Sequence, residues 1–301
     1  MNEFELIDVA IAELGSAAAG DWVRTGPGDD SAVTAVPPGM DLVSSVDALV
    51  GGVHFPLTAG AELIGYRALM VSASDLAAMG AAGGFALVAL CMERADPDWL
   101  RKFARGLARA AAGAGLAVVG GNLARGPLSI ALSVHGYVPA KQALLRSGAR
   151  AGDQVYVTGT LGAAAAAVAR GGLDLCMTDT DLDDLSRRYF LPRARIAEGQ
   201  VLRGFASSAI DLSDGLLQDL GHVCVASGVG VELESARIPV AAGATLEQAL
   251  SGGDDYELCF TGRAAPPDLV TPAHRIGRVV REPGVRLDGR PASGGYQHFG
   301  A

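Results

Sequence analysis

Aspartates recur where the chain leaves an apolar run for a polar or glycine-containing turn: Asp29-Asp30, Asp47, Asp75, Asp211 with Asp214, and Asp254-Asp255. Taken singly, each reads as well as a turn or helix-cap residue that accepts backbone N–H bonds. Taken together they suit divalent cations. Unit charges ~4 Å apart repel by about 4 kcal/mol at an effective dielectric of about 20, so carboxylates that met in space would require cations or protons between them. The chemistry that uses such a set is phosphoryl transfer from a nucleotide, in which hard oxygen ligands hold Mg2+ against the phosphates. Gly120-Gly121-Asn122, between a strand-like run and the turn into another, either presents backbone amides to phosphate or is a plain glycine turn. Arg146 is either a phosphate contact or an ordinary surface arginine.

Composition narrows the alternatives. The 301 residues suffice for about two domains with a core that needs no disulfide or structural metal. A formal charge of −9 and an aromatic content of 5% leave neither an electrostatic footprint nor a stacking platform for nucleic acid. Lys102 and Lys141 are the only lysines, and neither stands in the Gly-Lys-Ser/Thr context of a Walker loop. Cys91, Cys176, Cys224 and Cys259 form no CxxC pair and read as buried thiols in a reducing cytosol. The acidic start Met1-Asn2-Glu3-Phe4-Glu5 does not look like an export signal, and the charge-free stretch Leu76 to Met92 is too short and glycine-broken for a bilayer span. A cytoplasmic protein with no membrane partner is the expectation.

Spacing supplies the elements that must carry these residues. Phe4, Ile7, Ile11 and Leu14 predict an opening helix that ends near Gly15. Strands are expected at Ala32–Val36, Asp41–Val46, Phe85–Met92, Leu116–Val119 and Leu128–Val138, with helices over Ala61–Ala82 and Pro97–Gly113. After the polar segment Pro139–Gly152 the pattern restarts: a strand from Val155, helices over Leu161–Ala169, Pro192–Arg203 and Leu216–Ala226, and strands at Ala209–Leu212 and Glu257–Thr261. The alternation indicates an α/β fold of α+β-like character, divided into residues 1–140 and 141–301.

The motifs themselves resemble a known family. Gly28-Asp29-Asp30-Ser31-Ala32-Val33, Asp47-Ala48-Leu49-Val50 leading to Val53-His54-Phe55, and Ser74-Asp75-Leu76-Ala77-Ala78-Met79-Gly80-Ala81 are similar, in order and spacing, to the blocks of thiamine-monophosphate kinases. The second half continues the likeness with Arg146-Ser147-Gly148-Ala149, Gly152-Asp153, Ile210-Asp211-Leu212-Ser213-Asp214-Gly215-Leu216, Gly252-Gly253-Asp254-Asp255-Tyr256-Glu257-Leu258 and Gly295-Tyr296-Gln297-His298-Phe299.

That resemblance implies the two-domain fold of the aminoimidazole ribonucleotide synthetase superfamily, with an amino-terminal ATP- and Mg2+-binding domain whose sheet closes a barrel in a homodimer, and a second α/β domain that completes the substrate site. It implies ATP and thiamine monophosphate as substrates and several Mg2+ ions. Asp30, Ser45, Asp47, Asp75, Asn122, Asp211 and Asp214 would ligate the metal, with Asp47, Asp75 and Asp211 the catalytic set. Gly121, Asn122, Arg146 and Ser213 would serve ATP, and His54, Asp254 and Tyr296 the thiamine phosphate.

This chain departs from the family pattern at three places: Asn122 replaces a usual aspartate, Gly51-Gly52 replaces Glu-Gly, and Asp254 replaces a glutamate. Selenophosphate synthetases and hydrogenase-maturation carbamoyl dehydratases of the same superfamily carry cysteines early or at the carboxyl end. Here the first cysteine is Cys91 and the chain ends Phe299-Gly300-Ala301, which argues against both; another ATP-dependent enzyme of the superfamily stays as one alternative, and a non-catalytic nucleotide- or cation-binding homologue as the alternative of another class. An amide oxygen ligates Mg2+ more weakly than a carboxylate. Asn122→Asp is therefore expected to lower the Mg2+ concentration for half-maximal rate; an unmoved titration curve would remove residue 122 from the ligand set.

Overall fold

The computed structural model describes residues 3–297. Helix α1 (Glu3–Leu14) opens the chain, and β1 (Val23–Thr25) pairs with β2 (Val33–Thr34). Then come β3 (Met40–Val50), α2 (Ala61–Ala78), β4 (Ala82–Met92), α3 (Pro97–Ala114), β5 (Ala117–Arg125) and β6 (Ser129–Pro139). Strands β3 to β6 build one sheet in the order β3-β6-β4-β5, antiparallel except between β4 and β5, with β3 and β5 as open edges.

The second half contributes β7 (Gln154–Thr158), α4 (Ala163–Arg170), α5 (Asp184–Phe190), α6 (Ile196–Leu202), β8 (Ser208–Asp211), α7 (Leu216–Ser227), β9 (Gly230–Leu233) and α8 (Leu246–Ser251). Four strands follow: β10 (Leu258–Gly262), β11 (Ala273–Val280), β12 (Gly284–Leu287) and β13 (Arg290–Pro291). They join a seven-stranded sheet of order β13-β12-β9-β11-β7-β10-β8, in which only β12 and β9 run parallel. No helix among the described residues is long and apolar enough to cross a membrane.

Helix α3 forms where its signals stand. The Asp96 carboxylate accepts the Trp99 amide at 3.0 Å, Pro97 opens the first turn, and Gly115 stops the helix at φ 67°. Helix α2 is different: it is buried on nearly every side, as a helix apolar all round must be. It packs on β6 through Ile130, Leu132 and Val134 and on α3 through Phe103 and Leu107. The same core takes in Ala164 and Ala167 of α4 and Tyr189 and Phe190 of α5, so α2 is gripped by both halves of the chain.

The strand β5 runs further than its apolar stretch suggests. Gly120, Gly121 and Asn122 lie inside it, opposite Leu87, Val88 and Ala89 of β4, and not at a turn. A Cβ on Gly121 would stand 1.9 Å from the Val88 carbonyl oxygen, so glycine there permits close approach at an irregular register. On β3 the odd positions Ser45, Asp47 and Leu49 turn inward, while Leu42, Val46 and Val50, with Leu87 on β4, leave an apolar face exposed.

Two glycines set the α2–α3 distance. A Cβ at Gly65 would meet the Phe103 carbonyl oxygen at 2.2 Å, and one at Gly106 would meet that of Glu62 at 2.0 Å. Helix propensity alone favours Gly→Ala by about 1 kcal/mol, whereas overpacking against fixed backbone costs about 1–3 kcal/mol. Gly106→Ala is therefore expected to destabilise the protein by roughly 1–2 kcal/mol in urea denaturation. Gly221→Ala in α7, where a Cβ meets nothing within 4 Å, is expected to stabilise it.

Candidate active site

The middle of strand β3, the last turns of helix α2 and the end of strand β8 bring oxygen-bearing side chains to one place. The Ser45 hydroxyl on β3 donates to Asp75 on α2, and the Ser74 hydroxyl donates to the Asp211 carboxylate at the end of β8 at 2.7 Å. Ser45, Asp75 and Asp211 line a cleft of about 250 Å3 whose mouth carries Arg146. Burial, then the neighbouring Asp75 carboxylate, push Asp47 up to about 6, against a hydrogen bond from Ser72. The same two causes push Asp211 up to about 7 despite Ser74, with Asp219 and Asp47 adding to them. Three carboxylates drawn from both halves of the chain thus repel one another in a desolvated place.

Around Asp214 the chain is bent by another carboxylate. Asp219, in the first turn of α7, accepts the amides of Ser213, Asp214 and Gly215 at 3.1, 3.1 and 3.0 Å. Burial, and then Asp214, raise Asp219 to about 7 even so. Asp214 itself accepts from the Gln218 amide at 2.9 Å, and its carbonyl accepts the Tyr296 amide at 2.9 Å.

A second cluster forms where Arg67 bridges the His54 carbonyl and Asp254. The Val50 amide donates to His54 Nδ1 at 3.0 Å, which leaves the ring proton on Nε2. Asp254 receives both of its hydrogen bonds from Arg67 through Nη2, at 2.7 and 2.6 Å, and a third from the Tyr256 hydroxyl at 2.7 Å. Asp254 and Tyr256 hold φ values of 66° and 51°, a conformation that costs non-glycine residues about 1–3 kcal/mol each and that these bonds hold in place. The Asp254 amide donates to the Ser213 carbonyl at 2.8 Å, so the two clusters share a rim running from Tyr296 through Asp214 and Ser213 to Asp254.

The remaining expected residues lie elsewhere. Asp30 is exposed on the β1–β2 loop, its amide bound to the Asp29 carboxylate at 2.8 Å, and it does not line the cleft. Gly121 and Asn122 are on β5, three strands from β3, roughly 14 Å away at ordinary strand spacing. His298 and Phe299 lie outside the described residues. A larger cavity of about 710 Å3 between α7 and β12 has no charged side chain in its lining and contains none of these residues. Of the four free thiols, Cys91 is half-buried on the open face of the sheet and the other three are buried.

Comparison with known proteins decides the family. Residues 28–138 match the AIR synthase related protein, N-terminal domain. The chain is 45% identical over 249 residues to the thiamine-monophosphate kinase of Salmonella typhimurium, covering 79% of this chain and 76% of that one. This chain belongs to the thiamine-monophosphate kinase family. The crystal structure of the family member from Stenotrophomonas maltophilia K279a superposes with a TM-score of 0.87 at 37% identity, over 97% of this chain and 98% of that one. A further relative, AaThiL complexed with AMPPCP and TMP, gives 0.79 at 31% identity over 99% and 97%. The two-domain α/β fold of the superfamily is accordingly the fold of this chain.

Sequence reading passed over Arg67, Tyr189, Asp219 and the detail of Asp255. A lone arginine inside the apolar run Ala61–Ala78 is itself a signal, because a buried charge needs a partner. Asp255 binds the Gly162 amide through Oδ1 at 2.8 Å, while its Oδ2 has no partner and burial pushes the carboxyl well up.

The carboxylate cluster makes a stability prediction for metal-free protein. A folded-state acid pKa raised from 3.8 to about 7 means that the native state keeps a proton that the unfolded chain releases, so stability falls as pH rises through that window. In EDTA the melting temperature is expected to be lower at pH 8 than at pH 5. Asp211→Asn should flatten this slope and stabilise the protein at pH 8 by on the order of 2–4 kcal/mol. A pH-independent melting curve for the wild type would contradict it.

Proposed function

We infer that this protein transfers the γ-phosphoryl group of ATP to thiamine monophosphate, giving ADP and thiamine diphosphate. The observation that carries the reading is the meeting of Asp47, Asp75 and Asp211 beside a cleft with Arg146 at its mouth, in a family whose solved member was complexed with AMPPCP and TMP.

The donors fit Mg2+. They are hard oxygens, and no cation other than Arg146 lines the cleft with them. Among the described residues no three His, Cys, Asp or Glu side chains form a cage able to hold a metal alone. Mg2+ is usually bound with substrate phosphates and waters completing its coordination, so the nucleotide would supply the remaining ligands. We propose Ser45, Asp47, Asp75 and Asp211 as the principal donors, with Asp30, Asn122 and Asp214 as further ligands. When bound, the ions would screen the repulsion between the two anionic substrates.

The chain's own groups then have defined tasks. A cleft of about 250 Å3 admits the phosphate end of a nucleotide and leaves the rest outside, with Arg146, Ser213, Gly121 and Asn122 as proposed ATP contacts. His54, Asp254 and Tyr296 are the proposed contacts of the thiamine monophosphate end. The acceptor phosphate, ionised near neutral pH, attacks the γ-phosphorus in line; the bond to the β,γ-bridging oxygen breaks and its electron pair leaves with ADP. Neither a covalent nucleophile nor a strong general base is required.

A homodimer belongs to this proposal. The open edges of β3 and β5 and the apolar face of Leu42, Val46, Val50 and Leu87 support barrel closure by a second copy, which would carry its Asn122 toward the β3 edge. Residues 1–140 would form the ATP-binding and dimerising part and residues 141–301 complete the substrate site. Reduced thiols and an ATP co-substrate support a cytoplasmic location.

Incubation with γ-labelled ATP, Mg2+ and thiamine monophosphate is expected to place label in thiamine diphosphate. Label in free phosphate would mean hydrolysis, and binding without release would mean a non-catalytic homologue. Asp47→Asn should lose at least ~10²-fold in turnover, about 3 kcal/mol of transition-state stabilisation. Near-wild-type turnover at saturating Mg2+ would make Asp47 a structural residue.

A further inference from the structure

We propose that Arg67 is a positioning residue for the phosphate acceptor, tying the His54 loop, the Tyr189 end of α5 and the Asp254 loop into one rigid wall of the thiamine monophosphate site. The inference rests on the functional reading above and adds to it a residue far from the phosphate motifs.

The guanidinium is spent in three directions. Nε donates to the His54 carbonyl at 3.3 Å, Nη1 to the Tyr189 carbonyl at 2.6 Å, and Nη2 to both oxygens of Asp254. Its Cζ lies over the Tyr189 ring, 4.0 Å from the centroid, and the Tyr189 hydroxyl closes the network by donating to the same His54 carbonyl at 2.9 Å. With 4% of its side chain exposed, Arg67 is shut away from water. Two of its partners are backbone carbonyls, so what it fixes is the course of the main chain 122 residues away at Tyr189 and 13 residues away at His54.

What the wall holds is two loops of unusual backbone. Asp254 and Tyr256 keep positive φ, and the His54 loop follows Gly51-Gly52. The His54 ring depends on that loop for its Val50 bond. Releasing either segment would move the groups proposed to meet the acceptor while leaving the carboxylate cleft in place. Arg67 and Asp75 are eight residues apart on α2, about 12 Å along the axis, so one rigid helix carries the acceptor wall and the phosphate cleft at a fixed separation. In-line transfer tolerates little error in that separation, since a displacement of ~1 Å can cost ~10²-fold in rate.

Lysine cannot replace this arrangement. Its ammonium is a single point with three donors, and it cannot span two carbonyls and a carboxylate that lie on different sides of a planar fork. Steady-state kinetics of Arg67→Lys, Arg67→Gln and Tyr189→Phe test the assignment, with thiamine monophosphate and ATP varied in turn and the melting temperature with Mg2+-ATP as the fold control.

Positioning predicts that Arg67→Lys raises KM for thiamine monophosphate by at least ~10-fold and lowers kcat, with KM for ATP within about twofold. Arg67→Gln should be no better than Lys, and Tyr189→Phe, which removes only the tyrosine hydroxyl from the network, should raise the same KM by roughly threefold. An unmoved KM for thiamine monophosphate in Arg67→Lys, or KM values for both substrates rising together, overturns the proposal. If the arginine variants do not fold, an unmoved KM in Tyr189→Phe overturns it as well. A wild-type enzyme that makes no thiamine diphosphate overturns the functional reading itself, whereas an active wild type with unmoved variants overturns this inference alone.

Discussion

Like charge gathered in a dry place is the condition around which this molecule is arranged. Asp47, Asp75 and Asp211 arrive from an edge strand, a buried helix and the end of a strand in the second sheet, and burial, followed by their mutual repulsion, raises Asp47 and Asp211 above the ordinary carboxylate range. Such a cluster destabilises the fold that contains it unless cations enter. The hydroxyls of Ser45 and Ser74 reduce the cost without removing it, because neutral donors orient a carboxylate but do not cancel its charge. A site of this kind is suited to bringing two phosphate-bearing anions together.

Helix α2 makes the meeting possible. It is sunk so deeply that its neighbours approach through glycine: Gly106 of α3 at one end, and at the other Gly199 of α6, whose Cβ would stand 2.1 Å from the Ala77 carbonyl oxygen. Close backbone contact leaves α2 little freedom to shift, and its two polar outlets, Arg67 and the Ser72-Ser74-Asp75 run, are held at a set distance. The first core recruits α4 and α5 from beyond the polar linker, so packing does not respect the division that composition suggests at residue 140.

Much of this was legible in the residues. Periodicity and caps locate α1, α2 and α3 to within a few positions, and of the aspartates expected at element ends Asp211 does end β8, while Asp47 and Asp75 lie inside β3 and α2. What was not legible is tertiary. Gly120-Gly121-Asn122 looks like a turn because glycine punctuates turns, yet β5 needs glycine there to pass the Val88 carbonyl. Strands β9, β12 and β13 and the seven-residue helix α5 are too short to show a period, and they exist because longer neighbours pair or pack with them. Asp219 reads as an ordinary first-turn acid, and only the fold shows that it bends the Ser213-Asp214-Gly215 loop. Asp30 shows the opposite case: its motif is clear, but in a single chain its loop stays exposed and apart from the cleft.

Carboxylates from both halves of the chain are proposed to hold one divalent cation between them. Anomalous diffraction from crystals grown with Mn2+ and a non-hydrolysable ATP analogue tests this most directly. A manganese peak in direct contact with carboxylate oxygens of both Asp75 and Asp211 of the same chain is the expected result. Manganese bound only to residues of one half, with Asp75 and Asp211 left to their serine partners, would contradict it.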